Sequence, residues 1–212
     1  MKIALAYAPT TCALVPFVNL TEAGAEFEPV PIDTHRGQNR TAEYLRLNPL
    51  HKVPVLIVDG RVLTENVAIQ IWIARTFPAA HLLPPDAWEE VQAISLMAWC
   101  ASGIHPHLAR YHGPARYCGD ADPAAVRDIA KEMVFENFHK AEDLLRDREF
   151  FFDRFTAVDS YFFWCFRRAT EFSLDLSGFP NCARHFAGIA ERRSVQKAFA
   201  YEREVKALFG RT

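Results

Sequence analysis

The sequence predicts an α/β module with the element order β-α-β-α-β-β-α, followed by an all-α helical bundle. Three observations carry this. Residues 2–77 alternate short apolar runs with helical stretches, punctuated by Pro and Gly. A proline-bearing connection, His81-Leu82-Leu83-Pro84-Pro85-Asp86, then breaks the pattern. Beyond it almost every apolar residue recurs at helical spacing. The expected organisation is an N-terminal domain over 1–79, a linker over 80–87 and a helical domain over 88–212.

Lys2–Ala8 is a short apolar run ended by Pro9 and reads as a buried strand. Cys12–Ala23 reads as a helix, with Thr10 or Thr11 to cap its start and Gly24 to close it. Pro16 falls in its first or second turn, where proline costs least. Phe27–Asp33 reads as a second strand, and Pro29 and Pro31 place it at an edge. Thr41–Leu47 is a short helix closed by Asn48-Pro49. Val53–Val58 is a β-branched strand, Asp59-Gly60 a hairpin turn, and Arg61–Thr64 its antiparallel return. Asn66–Phe77 is a helix. The result is a mixed four-stranded sheet with a right-handed parallel β-α-β unit.

In the second half, Trp88–Tyr117 suggests one long helix bent near Pro106. Pro123–Asp147 suggests another, with Ala125, Ile129, Met133, Phe138 and Leu144 near core spacing. Thr156–Phe172, Pro180–Arg193 and Ser194–Phe209 complete the bundle. Thr156-x-x-Asp159 is a capping box with a structural role. The aromatic run Tyr161, Phe162, Phe163, Trp164, Phe166 reads mainly as core.

With 212 residues, half of them hydrophobic, and a formal net charge of -2, nothing calls for nucleic acid or an anionic membrane. Five widely spaced cysteines, Cys12, Cys100, Cys118, Cys165 and Cys182, read as reduced thiols of a cytoplasmic protein. Val15 stands three residues after Cys12, so there is no two-cysteine redox motif. The N-terminus reads as a strand without a leader, and no run approaches the roughly 20 apolar residues of a membrane span.

Two readings of Cys12 stand side by side. A cysteine in a first helical turn packs as a small apolar residue. A helix N-terminus also favours a thiolate, which predicts a depressed thiol pKa and a reactive sulfur. His105, His107 and His112 share one segment, but their spacings are not i,i+4, and no metal is expected.

Four stretches in order carry a resemblance over nearly the whole chain: Thr10-Thr11-Cys12-Ala13, Lys52-Val53-Pro54-Val55-Leu56, Leu63-Thr64-Glu65-Asn66, and Thr156-Ala157-Val158-Asp159 with Asp175–Pro180 behind it. The chain resembles the cytosolic glutathione S-transferases and is most similar to their bacterial beta-like class. That resemblance implies a thioredoxin-like fold for the N-terminal domain and glutathione as cosubstrate. It also implies a homodimer, a detoxifying role, and no metal, membrane or nucleic-acid partner.

The resemblance implies a cis Val53-Pro54 bond, turning the Val53 N–H and C=O outward to pair with the cysteinyl backbone of glutathione. On the residues alone, a Pro54 that only begins a strand is the commoner reading. Glu65 is implied to take the γ-glutamyl ammonium, and the Asn66 side chain with the first free helical N–H groups its carboxylate. The family usually has serine where Asn66 stands. Thr10 and Thr11 are implied to line the glutathione site, and His35 to contact the glycyl carboxylate. Cys12 and His105 are the implied catalytic residues, with Trp164 and Arg110 at the acceptor pocket. Pro106 and Ala98 depart from the class pattern. The activity implied is attack of the glutathione thiolate on an electrophile. Cys12-dependent thiol–disulfide exchange on a small disulfide and a non-catalytic binding or structural role stand as alternatives.

Overall fold

The computed structural model describes residues 1–210. Its sheet has the order β2-β1-β3-β4, built from β1 (Ile3–Tyr7), β2 (Glu28–Pro31), β3 (Val55–Val58) and β4 (Arg61–Leu63). β1 pairs parallel with β2, Leu5 opposite Pro29, and antiparallel with β3, Leu5 opposite Leu56. β2 lies at the edge, where its two prolines leave no gap in a central ladder. β3 and β4 form the expected hairpin, with Asp59 and Gly60 both at positive φ. The thioredoxin-like arrangement expected for this half is therefore present.

Helix α1 (Leu14–Glu22) begins two residues later than the sequence suggests. Thr10 adopts φ +63°, and the backbone closes successive turns, Thr11 N–H to Ala8 C=O at 3.4 Å and Leu14 N–H to Thr11 C=O at 3.2 Å. Cys12 thus lies in a turn ahead of the helix. Neither threonine caps it: Thr11 Oγ1 donates to the Ala8 carbonyl at 2.7 Å and accepts from Ala13 N–H at 3.3 Å. α2 (Ala42–Leu47) is capped by Thr41, which accepts from Tyr44 N–H, and α3 spans Asn66–Thr76.

The chain divides into two units, 1–83 with 191–210 and 84–190. The last helix, α9 (Arg193–Leu208), is therefore grouped with the sheet and packs on α1. An aromatic cluster joins them: Phe17 meets Tyr7, Phe27 and Tyr201 at centroid distances of 5.7, 5.1 and 5.4 Å. The Tyr201 hydroxyl donates to the Pro29 carbonyl at 2.9 Å.

In the second unit the long helix divides in two. α4 (Ala87–Trp99), capped by Asp86, runs into a π-helical turn, Cys100–Ile104, and then α5 (His105–His112). Pro106 has no N–H and its ring crowds the carbonyl four residues back, so a widened turn accommodates it. Gly103 lies in that turn, where a Cβ would come within 2.8 Å of Trp99 Cδ1. α6 (Pro123–Leu144) buries Ala130, Val134, Phe138 and Ala141. Of the core positions expected there only Phe138 is fully buried, and Ile129 is 60 % exposed, because the buried stripe is out of phase with the expected one.

α7 (Ala157–Glu171) is the buried centre of this unit, flanked by α8 (Pro180–Ala190). The Asp159 carboxylate, fully buried, accepts from Thr156 N–H at 2.7 Å and Thr156 Oγ1 at 3.0 Å. It also accepts from Phe151 N–H, and His185 Nε2 lies 3.0 Å away. The capping box is thus the hub of a larger buried network.

On the first unit, Arg192 grips the Glu22 carboxylate with two bonds of 2.9 and 2.8 Å, and Ser194 adds a third. Burial pushes this carboxyl up, but Arg192 and Ser194 outweigh it and hold it below its ordinary value of 4.5. A depressed carboxylate contributes stability above its unfolded pKa and loses it as pH falls through the folded one. Glu22→Gln should therefore lower the urea midpoint at neutral pH, and the gap to the parent should close below about pH 4.

Candidate functional site

The turn between β1 and α1 presents Cys12, which is buried. Its Sγ donates to the Val53 carbonyl at 3.7 Å. Burial pushes the thiol up to about 12, against its own backbone hydrogen bond, the Asn66 amide and Lys52, which favour the thiolate, while Glu65 disfavours it. The depressed value expected from a helix N-terminus is overturned. Cys12 precedes the helix and is dry, so desolvation exceeds the dipole's help. In this structure Cys12 is a neutral S–H donor.

The Val53-Pro54 bond is cis, as the resemblance implied. The segment entering it, residues 51–53, is held by α2 and its flanks. The Tyr44 hydroxyl and Asn48 Nδ2 both donate to the Lys52 carbonyl, at 2.8 and 2.9 Å. Asn39 Nδ2 donates to the His51 carbonyl at 2.6 Å. Among the described residues no acceptor meets the Val53 N–H, and the half-buried Val53 leaves a short backbone edge open to an extended peptide. Pro54 is buried behind it.

Glu65 is exposed, at φ +68° and ψ +119°. No side chain with a Cβ rests there without strain, of order 1–3 kcal/mol. It stands immediately before the free N–H groups of α3. Asn66 is the first residue of that helix, and its side chain turns inward. Nδ2 donates to the Cys12 carbonyl at 3.0 Å, and Oδ1 accepts from Gln70 Nε2 at 2.7 Å. Both ends of the side chain are thus engaged within the protein. Serine is too short to make the same span.

A second carboxylate reaches the turn from α9. Glu202, buried, accepts from Thr10 N–H at 3.0 Å and from the Tyr7 hydroxyl at 3.2 Å. Thr10, Thr11, Cys12, Val53, Pro54, Glu65 and Asn66 thus all belong to the first unit, with Cys12 joined directly to Val53 and Asn66. His35 is exposed in a turn after β2, its N–H donating to Asp33 Oδ1 at 3.1 Å. In the second unit His105 packs edge-on against Trp164, with ring centroids 4.4 Å apart. The Arg110 guanidinium covers the Tyr117 ring at 5.7 Å, and Trp164 is buried. Among the described residues no group of three or more His, Cys, Asp or Glu side chains is placed to hold a metal ion, and no helix is long and apolar enough to cross a membrane.

Asn19, Tyr44, Gln70 and Glu202 were not singled out by sequence reasoning. A signal existed for two of them. Asn19 separates Leu14-Val15-Pro16-Phe17-Val18 from Leu20, and Gln70 separates Val67-Ala68-Ile69 from Ile71-Trp72-Ile73. A polar residue in the middle of an apolar run marks a buried hydrogen-bonded group.

Residues 6–75 match the family described as glutathione S-transferase, N-terminal domain. The chain is 30% identical over 205 residues to glutathione S-transferase GstA of Escherichia coli O157:H7, covering 93% of this chain and 98% of that one. Over 187 residues it is 28% identical to maleylacetoacetate isomerase of Pseudomonas aeruginosa, with 86% of each covered. A solved beta class glutathione S-transferase from Sphingomonas chungbukensis superposes with a TM-score of 0.82 at 29% identity, covering 95% of this chain and 98% of that one. A thioredoxin-like sheet unit with a cis proline edge, joined to a helical unit, thus defines a transferase fold. The chain belongs to the glutathione S-transferase family, among relatives of the bacterial beta class.

Replacing Glu65 separates strain from function. Glu65→Gly, which tolerates the backbone conformation, should be neutral to stabilising by about 1 kcal/mol in urea unfolding, whereas Glu65→Ala keeps the strained Cβ and should not stabilise.

Proposed function

We propose that this protein is a glutathione transferase whose first unit binds glutathione and promotes attack of its thiolate on an electrophilic substrate. The observation that carries this is the open Val53 edge beside both the Cys12 thiol and the start of α3, with Glu65 exposed there. The cysteinyl backbone of glutathione pairs with the Val53 N–H and C=O. Its γ-glutamyl ammonium meets Glu65, and its carboxylate meets the free N–H groups that open α3. Thr10 and Thr11 shape the turn under it. His35 is the proposed contact for the glycyl carboxylate. Cys12, neutral, turns its one S–H from the Val53 carbonyl to the glutathione sulfur and favours its thiolate.

The helical unit supplies the acceptor's contacts, with His105 as the catalytic histidine and Trp164 and Arg110 as pocket residues. A homodimer is part of this reading. On α4, Trp88 and Val91 are 71 % and 56 % exposed, an apolar face that a second copy covers.

A second reading has a specific observation behind it. A cysteinyl side chain paired to Val53 lies beside Cys12, which suits disulfide exchange. Cys12 thiolate attacks a glutathionylated disulfide, the substrate leaves as a thiolate, and a second glutathione thiolate displaces Cys12, forming glutathione disulfide. The raised Cys12 pKa places this second, because the step begins with a thiolate.

Calorimetric titration of the reduced protein with glutathione tests the reading. Binding with a Kd between about 1 μM and 1 mM is expected. Glu65→Ala should weaken it by about tenfold or more, and Cys12→Ala by no more than about threefold. No binding to the parent overturns the enzyme reading in favour of a non-catalytic role. With an electrophile present, a product heavier by one glutathione marks a transferase, and a product of unchanged mass an isomerase.

A further inference from the structure

Three side-chain amides from two helices make one buried chain. Asn19 Nδ2 on α1 donates to Gln70 Oε1 at 2.7 Å. Gln70 Nε2 on α3 donates to Asn66 Oδ1 at 2.7 Å. Asn66 Nδ2 donates to the Cys12 carbonyl at 3.0 Å. Asn19 and Gln70 are fully buried and Asn66 is 7 % exposed. Gln70 and Asn66 each present the oxygen to the preceding amide and the nitrogen to the next, while Asn19 Oδ1, at the head, is buried without a hydrogen-bond partner among the described residues. All three donors point one way, toward Cys12.

A chain of this kind has one consistent orientation. The Cys12 carbonyl can only accept, so it sets the direction: flipping Asn66 or Gln70 sets donor against donor and acceptor against acceptor, and the loss of a buried hydrogen bond costs more than its formation gains. The carbonyl thus selects the Asn66 nitrogen, and Gln70 reinforces that choice by donating to the Asn66 oxygen. Asn19, at the head, donates to the Gln70 oxygen and so supports the same orientation. Neither Asn19 nor Gln70 is exposed, so neither is available to a ligand.

We propose that the Asn66 side chain is a positioning group for Cys12 and not a ligand of glutathione, and that Gln70, supported by Asn19, helps keep that amide turned toward the thiol-bearing turn. The inference rests on reading Cys12 as the thiol of the glutathione site. It assigns the carboxylate of glutathione to the backbone N–H groups of α3 alone. It also accounts for asparagine where the family usually has serine: the longer amide spans to the Cys12 carbonyl while accepting from Gln70. The Asn66 amide acts on the Cys12 sulfur as well, favouring its thiolate against burial.

The test is the alkylation rate of Cys12 by iodoacetamide at about pH 8, in the absence of glutathione, read by mass spectrometry of the Cys12 peptide. Asn66→Ser and Gln70→Met should each slow alkylation by about three- to tenfold, because Asn66→Ser removes the amide that holds the turn and favours the thiolate, and Gln70→Met removes the bond that holds that amide in place. The double variant should be no slower than Asn66→Ser, because both changes break the same chain. Faster alkylation in both variants would mean that the amides only pack the turn shut, and overturns the proposal. Unchanged alkylation with a glutathione affinity lowered in Asn66→Ser and not in Gln70→Met makes Asn66 a ligand residue, and also overturns it. The parent protein gives an independent check that needs no variant. The Asn66 side-chain amide protons should be protected from hydrogen exchange in 15N NMR, and rapid exchange contradicts the positioning role. If the parent binds no glutathione, the function proposed for the site fails, while these readouts still decide the positioning role.

Discussion

The connection from β1 to α1 is the constraint around which the first unit is organised. Its backbone leaves the sheet before the helix begins, so its polar groups have no regular ladder to join. Side chains from distant parts of the chain take them up. Glu202 receives the Thr10 N–H from α9, and Asn66 donates to the Cys12 carbonyl from α3. The Cys12 thiol in turn meets the carbonyl before the cis proline. Two helices and a strand entry are thereby tied to six residues of turn. The grouping of α9 with the sheet follows from the same need, with the Glu22–Arg192 pair and the Tyr7–Phe17–Tyr201 cluster supporting it.

Burial of that turn decides the chemistry of the thiol. A cysteine at a solvated helix start is helped toward the thiolate. Here desolvation exceeds every nearby donor, and the sulfur stays protonated. A neutral thiol beside an open backbone edge suits hydrogen bonding to another sulfur better than attack. The strained Glu65 conformation fits the same picture, since it holds a carboxylate out at the mouth of α3 at a cost in stability.

Much of this was legible in the residues. Period-2 and period-3.6 patterns, Asp59-Gly60, and the paired prolines of β2 give the sheet and its edge. Thr156-x-x-Asp159 gives the cap of α7. The cis bond came only through family resemblance, since an X-Pro pair alone does not specify it. What stayed hidden is long-range. Asn66 bonds a residue 54 positions away, and Glu202 one 192 positions away, and no local pattern encodes either. Local propensity also missed the start of α1, because the positive φ of Thr10 is held by Glu202. The α6 stripe was misphased because Ile129 and Leu144 are apolar but lie off the face that small Ala130 and Ala141 bury.

The central claim is that glutathione docks on the Val53 edge and the start of α3, next to Cys12. Titrating glutathione into 15N-labelled protein and following backbone amide shifts tests it most directly. The account predicts the largest shifts at Val53, at residues 65–67, and at Cys12. Large shifts confined to other residues, or none at saturating glutathione, would contradict it.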